Sequence, residues 1–204
     1  YGIYSAQGRA VTRNDYEAYC HQMPPSLGAV KRASIVNDPG GTNRRLALYV
    51  ISQNTLGNLI TTKQVVKNNL KTWLLKNKML NDSIDIYDAK IINVGFSYEI
   101  VTDPNLNSTL VLSDVNSTLQ SLFSSKQSIG EPIYINSIYN AINKTVGVVD
   151  CVKVNMEVKK GANYSPVSIE IIDLLSDKGS IVTCPKNCIL EIKDLNTDIR
   201  GTVV

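Results

Sequence analysis

Two short stretches of the sequence carry side chains that could act as a nucleophile or hold a metal ion. Cys20 stands next to His21, which is the only histidine of the chain. A cysteine nucleophile must touch its base, whereas adjacent residues of a helix point in different directions. Cys184 and Cys188 have the spacing of half a zinc site, but the sequence has no second closely spaced pair of ligands. A cysteine-dependent enzyme or a zinc protein therefore ranks below a protein without catalytic or metal residues.

Other motifs with a known mechanism do not occur in the sequence. Neither G-x-G-x-x-G nor G-x-x-x-x-G-K-[ST] is present, so no phosphate-binding loop is predicted. The acidic residues are scattered, and no pair on one strand face suggests a glycosidase dyad. The chain has four cysteines, too few and too widely spaced for a secreted disulfide scaffold, and we predict reduced thiols that are mostly buried. We predict that the protein is not an enzyme and binds no cofactor.

A run of lysines over residues 63–78 is the strongest local charge feature. Most of these lysines lie off the apolar stripe of a predicted helix, which is typical of a solvated face. Arginine does not alternate with them, and the net charge of +3 is too weak to indicate a basic protein. Nucleic-acid or polyanion binding through this helix is the alternative function. The lysines are Lys63, Lys67, Lys71, Lys76 and Lys78.

Composition predicts an ordered chain of one large or two small domains. Hydrophobic residues make up 43% and charged residues 19% of the 204 residues. This balance argues against intrinsic disorder, and no apolar run approaches the roughly 18 residues of a membrane span. The chain begins with Tyr1 and has no signal peptide in its first residues. We expect it to begin inside a longer protein.

In the first half of the chain, periodicity and turn residues predict alternating helices and strands. Thr12 is placed to cap a helix that Pro24 and Pro25 end. Thr61 and Gln64 fit a capping box at the start of a second helix, with an apolar stripe that begins at Val65. The predicted elements are a helix over 12–23, an antiparallel hairpin of strands 29–36 and 45–52 around a turn at 37–43, the helix from 61, and a strand over 84–87.

The second half begins with a long strand and ends in short strand-like runs. From Ile92 to Ile100 every second residue is apolar, which predicts one buried strand face. The same reasoning puts Val152, Val154, Met156 and Val158 on one buried face of a later strand. The predicted elements are a strand over 89–101, helices over 108–126 and 136–143, a strand over 148–158, strands over 168–172, 181–184 and 188–192, and an extended segment over 198–204.

This order predicts an α+β fold rather than a doubly wound sheet, because helices and strands do not alternate strictly. We expect two small α/β-sandwich-like subdomains, β-β-α-β and β-α-α-β, with an N-terminal helix and a short β-rich C-terminal tail. The predicted boundaries are 1–23 for the helical segment, 24–88 and 89–164 for the two subdomains, and 165–204 for the tail.

Several stretches, in order along the chain, resemble the baseplate J-like family, the wedge proteins of contractile phage tails. Residues 8–17 are similar to the family's opening R-x-V-T-x-x-D-Y-E. A helix over 65–75 followed by 80–89 forms the second similar stretch. The third comprises 91–101, the helix from 108, and 133–158, in which 143–152 looks like the element I-x-x-V-x-G-V. The tail, over 181–192 and 198–201, is similar to the end of the family's large wedge subunits.

The resemblance implies a structural protein without catalytic residues. Its partners would be a second copy of itself, as a homodimer within a larger ring around the tail hub, and other baseplate wedge proteins. The implied location is the virion tail baseplate, after assembly in the host cytoplasm, with no membrane and no nucleic acid as a partner.

A permanent assembly interface favours aromatic, Met and other apolar residues at its centre. We therefore expect an oligomer interface near the first helix and the C-terminal segment. The residues expected there are Tyr16, Tyr19, Met23, Ile189 and Ile199.

Overall fold

The computed structural model describes residues 8–37, 45–55, 57–124, 127–167, 169–176 and 179–204. Helix accounts for 29% and strand for 33% of the chain, which confirms the α+β class. The turn predicted at 37–43 lies outside the described residues except for Asn37, which ends a strand. The chain forms two compact units, the first comprising residues 1–90, 128–130 and 186–188 and the second comprising 91–127, 131–185 and 189–204.

The elements are numbered in chain order. Among the described helices none is long and apolar enough to cross a membrane. The helices are α1 (Arg13–His21), α2 (Gln64–Leu75), α3 (Ser108–Ser124), α4 (Ile135–Asn143) and the short α5 (Ile171–Leu174), with a 3-10 turn at Pro25–Leu27. The strands are β1 (Arg32–Asn37), β2 (Arg45–Gln53), β3 (Leu59–Ile60), β4 (Ser83–Asp88), β5 (Lys90–Thr102), β6 (Ile133–Tyr134), β7 (Val148–Val158), β8 (Ile181–Val182), β9 (Cys188–Glu191) and β10 (Ile199–Val203).

The first unit is a sheet with helices on one face. Strand β2 pairs antiparallel with β1 and parallel with β4, which confirms the predicted hairpin, and β3 extends the sheet at the end of β2. Leu48 lies opposite Ile35 on one side and Ile86 on the other, so these side chains share one face. Helices α1 and α2 cover that face. The buried core consists of Ala10, Tyr16, Tyr19, Cys20, Met23, Val30, Ile35, Leu48, Val50, Leu70, Leu74 and Ile84.

The predicted cap of α1 is confirmed. The backbone N–H of Asp15 donates to Thr12 Oγ1 at 3.3 Å, and the N–H of Thr12 donates to Asp15 Oδ2 at 2.8 Å. Together these bonds form a capping box, which satisfies N–H groups that a helix start leaves without partners. The backbone donors at Thr12 and Val11 hold the pKa of the Asp15 carboxyl below its usual value.

The predicted cap of α2 is wrong. Lys63 occupies the N-cap position, and within the described structure no side chain caps this helix start. The adjacent Thr62 bonds to the sheet: its N–H donates to Asp88 Oδ1 at 3.1 Å, and its hydroxyl accepts from Ser52 at 3.1 Å. The apolar stripe packs against the core from the partly buried Val66 onward, whereas Val65, predicted to be buried, is 68% exposed.

The second unit is built around the long strand β5. This strand pairs antiparallel with β7 and parallel with β10, and β9 also pairs with it. The alternating apolar face predicted for β5 is confirmed, since every second residue from Ile92 to Ile100 is buried. Helices α3 and α4 contact each other and pack on β10 and β7 respectively. A Cβ at Gly201 would lie 2.3 Å from Tyr98 Cζ, so only glycine fits this close approach of β10 to the Tyr98 side chain.

Strand β7 contains a β-bulge that the sequence pattern did not reveal. Glu99 lies opposite Lys153 but Ile100 lies opposite Cys151, so Val152 is the extra residue. The bulge reverses which side chains face the core: Cys151 is buried and Val152 is 54% exposed. The predicted buried face is therefore wrong at Val152 and correct at Met156.

The C-terminal segment departs from its prediction at one element. The strand predicted over 168–172 is absent from the described residues of that stretch, where the short helix α5 begins at Ile171. Strand β8 pairs with β6 in a separate two-stranded sheet. The extended segment predicted over 198–204 contains β10, whose Ile199 lies beside Phe96 of β5.

The bulge predicts that a polar substitution changes the free energy of unfolding much less at Val152 than at the adjacent Cys151. Val152→Ser should change the free energy of unfolding by no more than about 0.5 kcal/mol, because the side chain is at the surface. Cys151→Ser should destabilise by about 1–3 kcal/mol, because it buries a hydroxyl in place of a thiol. Urea denaturation of both variants checks this, and a larger loss for Val152→Ser would contradict the placement of the bulge.

Candidate interaction surface

The five residues expected at an oligomer interface have their side chains inside the folded units. Tyr16, Tyr19 and Met23 belong to the core of the first unit, and Ile189 and Ile199 are buried in the second. Their exposed fractions range from 0% at Ile189 to 6% at Met23. The structure describes a single copy of the chain, so their expected role at an interface stays a prediction. All five side chains are packed inside the units of the single chain.

Tyr16 is more than a core residue, because its hydroxyl bonds to a surface loop. The phenol oxygen donates to Asp82 Oδ2 at 2.6 Å and accepts from the backbone N–H of Met79 at 3.3 Å. Burial raises the pKa of the Tyr16 hydroxyl, and the hydrogen bond to Asp82 raises it further. The group therefore stays protonated and donating across the physiological pH range.

The loop held by Tyr16 joins α2 to β4, and further bonds fix its shape. The N–H of Asp82 donates to the carbonyl of Met79 at 3.2 Å, which closes a turn. Lys78 Nζ donates to the carbonyl of Asp82 at 2.7 Å and to that of Met79 at 3.3 Å. Leu80 is the second residue of this turn, and its side chain is 96% exposed. A well-bonded turn thus presents a leucine to solvent.

A groove runs beside this turn, between the end of α2 and the start of β4. Buried Leu74 and Ile84 and the half-exposed Leu75 form its apolar part. The groove has a volume of about 160 Å³. Its remaining lining residues are polar or charged: Lys71, Lys78, Asp82 and Ser83. We call the turn 79–82 together with this groove the α2–β4 corner.

The lysines of α2 are largely engaged by carboxylates of β4. Lys67 Nζ lies 2.8 Å from Asp88 Oδ2, and Lys71 Nζ lies 3.9 Å from Asp85 Oδ1. Lys78 bonds to carbonyl oxygens of the turn, as described above. Two of the five lysines of the run, Lys67 and Lys71, thus have a carboxylate partner, which leaves less of the run free to bind phosphates. Polyanion binding stays an alternative with less support than the sequence alone gave it.

The cysteine and histidine side chains considered above as a nucleophile pair or as metal ligands lie in different environments. The Cys20 side chain is buried and His21 is exposed. Burial raises the pKa of the Cys20 thiol to about 12, which disfavours the reactive thiolate. Cys188 is also buried, and burial raises the pKa of its thiol too. Among the described residues, no group of three or more His, Cys, Asp or Glu side chains is placed to hold a metal ion.

Sequence reasoning missed the α2–β4 corner, although a signal was present. Met79 and Leu80 form an apolar pair inside an otherwise polar connection, after the last residues of the helical stripe. The side chain of an apolar residue in such a turn either packs on the core or is exposed to solvent, and the sequence does not distinguish these cases. The bond between Tyr16 and Asp82 joins residues 66 positions apart. It could not be read from local patterns.

Comparison with known proteins gives a similarity of fold without a sequence match. No family model matches the chain, and no curated protein matches it. The fold is similar to that of a chain in the six-fold symmetrised cryo-EM structure of the anti-feeding prophage baseplate, with a TM-score of 0.57 and 11% sequence identity. The match covers 95% of this chain and 40% of that one, so the present chain spans less than half of its neighbour. At this identity the comparison shows a shared fold.

The hydroxyl contacts of two neighbouring core tyrosines predict opposite responses to the same substitution. Tyr16→Phe should destabilise the chain by about 1–3 kcal/mol, because it leaves Asp82 and the Met79 N–H without their partner. Tyr19 is as buried as Tyr16, but its hydroxyl has no hydrogen-bond partner in the described structure. Tyr19→Phe should therefore be neutral or stabilising by up to about 1 kcal/mol. Urea denaturation of the matched pair tests this, and equal losses would refute the assignment of the Tyr16 bonds.

The burial of Cys20 predicts that its thiol does not react in the folded chain. With a pKa of about 12, its thiolate fraction at pH 8 is on the order of 10⁻⁴. A thiol reagent at pH 8 should modify the partly exposed Cys184 in the native protein and reach Cys20 only after unfolding. Peptide mapping by mass spectrometry reads out both sites. Rapid labelling of Cys20 in the native state would contradict this prediction and support the hypothesis of a cysteine-dependent enzyme.

Proposed function

We propose that this protein is a structural component of a contractile phage tail baseplate. The single observation that carries the proposal is the similarity of fold to a chain of a prophage baseplate over 95% of the present chain. The ordered motifs, such as residues 8–17 and 143–152, add support because they resemble the baseplate J-like family. In finer terms, we propose the C-terminal part of a large wedge subunit of the T-even type. The proposed location is the tail baseplate of the virion, with assembly in the host cytoplasm.

We propose further that the chain binds a second copy of itself and links neighbouring wedges into a ring around the hub. Symmetry sets a requirement for such a protein. An isologous contact uses the same patch on both copies and closes at two, so a ring built from pairs needs a second, different contact surface. Other wedge proteins would bind outside these surfaces.

We propose that the second contact surface lies on the second unit, and we call it the apolar end. Six of its apolar side chains are between 40% and 84% exposed. Three contacts bring together the segments that carry these side chains: the N–H of Asp103 bonds to the carbonyl of Gly147, the N–H of Val204 bonds to that of Ile100, and the Leu106 side chain lies next to Gly147. Exposed apolar patches of this kind mark interaction sites. The side chains are Leu106, Leu110, Val146, Val149, Val203 and Val204.

The five residues expected at an oligomer interface stay in this proposal as residues of that interface, and Tyr16 is also bonded to the α2–β4 corner. The predicted division into segments 1–23, 24–88, 89–164 and 165–204 likewise stays a proposal. It assigns the α2–β4 corner to the first subdomain and most of the apolar end to the second.

Self-association of the purified chain is the primary test. Light scattering coupled to size exclusion should give a mass of at least twice 22.4 kDa at high micromolar concentration, and the mass should not fall when salt is raised. Salt tolerance is expected because the proposed contacts are mainly apolar. A strict monomer at several hundred micromolar would contradict self-association. Salt-sensitive retention of nucleic acid in a filter-binding assay would favour the polyanion alternative instead.

A double substitution at the apolar end provides a second readout of the same proposal. Leu110→Asp with Val149→Asp should reduce assembly beyond the pair, because each places a charge on a surface that must be desolvated. Both side chains are more than 60% exposed, so the folded state should be retained. Circular dichroism checks the fold, and sedimentation velocity checks the assembly state.

A further inference from the structure

Leu80 lies in the turn 79–82, whose backbone is fixed by hydrogen bonds while the leucine side chain is exposed. Its turn is closed by the bond between Asp82 and Met79, anchored to the core by Tyr16, and braced by Lys78. A leucine that is 96% exposed gains nothing from burial in the monomer. Fixing the turn lowers the conformational entropy that a contact through this side chain would otherwise lose.

The groove beside the turn has the chemistry that a leucine side chain requires. Its floor is made by Leu74 and Ile84, and Leu75 forms an apolar wall that is 54% exposed. Its volume of about 160 Å³ is small, which suits one aliphatic side chain better than an extended peptide. Leu80 cannot fill the groove of its own chain while its side chain points to solvent.

We propose that the α2–β4 corner is a self-complementary contact, in which Leu80 of each copy enters the groove of a second copy across a twofold axis. The inference rests on the self-association in the proposed function and assigns its pairing surface. Because Lys78 and Asp82 belong both to the loop that carries Leu80 and to the groove walls, the projecting residue and its receptor lie on one patch. That is the condition for an isologous contact, which closes at two copies.

The charges around the corner agree with a twofold contact. Lys71, Lys78 and Asp82 all line the groove, and Asp85 lies on the adjacent strand. A rim that carries both signs of charge can pair with a second copy of itself, because a lysine of one copy can meet a carboxylate of the other. Lys71 and Asp85 are more than one third exposed and only 3.9 Å apart, so they can exchange partners between copies. A partner of uniform charge would be repelled by part of this rim.

The test is a charge placed at the tip of the turn, with a matched control elsewhere in the same unit. Leu80→Asp should raise the dissociation constant of the pair by about tenfold or more, since it puts a carboxylate into an apolar groove. Val65→Asp is the control, because Val65 is 68% exposed on α2 and lies outside the groove. The control should leave the dissociation constant within about twofold, and both variants should unfold like the parent chain in urea. Sedimentation equilibrium measures the constants.

A crosslinking experiment identifies the contact directly. A photoreactive leucine analogue at position 80 is used in a mixture of unlabelled and ¹⁵N-labelled chains. Crosslinked peptides that combine one labelled and one unlabelled partner, and that map to residues 71–84, support the proposal. Crosslinks found only within one isotope class show that the groove or another part of the same chain receives the side chain, and they overturn it.

The outcomes separate this inference from the proposed function. If the parent chain self-associates and Leu80→Asp has no more effect than Val65→Asp, the α2–β4 corner is not the pairing surface, and the baseplate proposal stands. If the double substitution at the apolar end dissociates the pair instead, the pairing surface belongs to the second unit. If the parent chain is a strict monomer, both the twofold contact and self-association fail.

Discussion

Each unit of this protein depends on the burial of one apolar sheet face. In the first unit Leu48 lies between Ile35 and Ile86, and α1 and α2 pack over this face, on which Leu48 and Ile35 are buried and Ile86 is partly buried. In the second unit Phe96 lies between Met156 and Ile199, and α3 and α4 pack on the neighbouring strands. A fully buried side chain of this size contributes roughly 1.5–3 kcal/mol, so the burial of this face stabilises each unit substantially. Because the helices serve one face, their connecting loops are free to carry exposed apolar side chains.

Local sequence patterns predicted those parts of the fold that depend on local physics. The capping box at Thr12 follows from residues three positions apart, and the alternation along β5 follows from the pleat of a strand. Both are set by backbone geometry within a few residues. The bulge at Val152 and the role of Thr62 at the sheet depend on partners that are distant in sequence. These long-range pairings determine which of two locally acceptable backbone arrangements the chain adopts. The local sequence pattern does not predict which one it is.

The residues expected at an oligomer interface illustrate why composition alone does not separate a core from an interface. Aromatic and large aliphatic side chains dominate both cores and the centres of permanent interfaces. Tyr16 and Ile189 therefore satisfied the composition expected of an interface, while their burial places them in the cores. Leu80 is one residue in a polar loop and has no periodicity to mark it. Its exposure becomes visible only once the loop is placed against α1.

The bond between Tyr16 and Asp82 connects these two levels of structure. A buried tyrosine can satisfy its hydroxyl in many ways, including a backbone carbonyl of its own unit. Here it reaches a turn that contributes little to the core, since Leu80 is almost fully exposed. The stability of the core is thereby coupled to the shape of a surface loop. A contact made by one leucine and one small groove requires that coupling. If the loop were mobile, the conformational entropy lost on ordering it would offset much of the free energy gained by burying a single side chain.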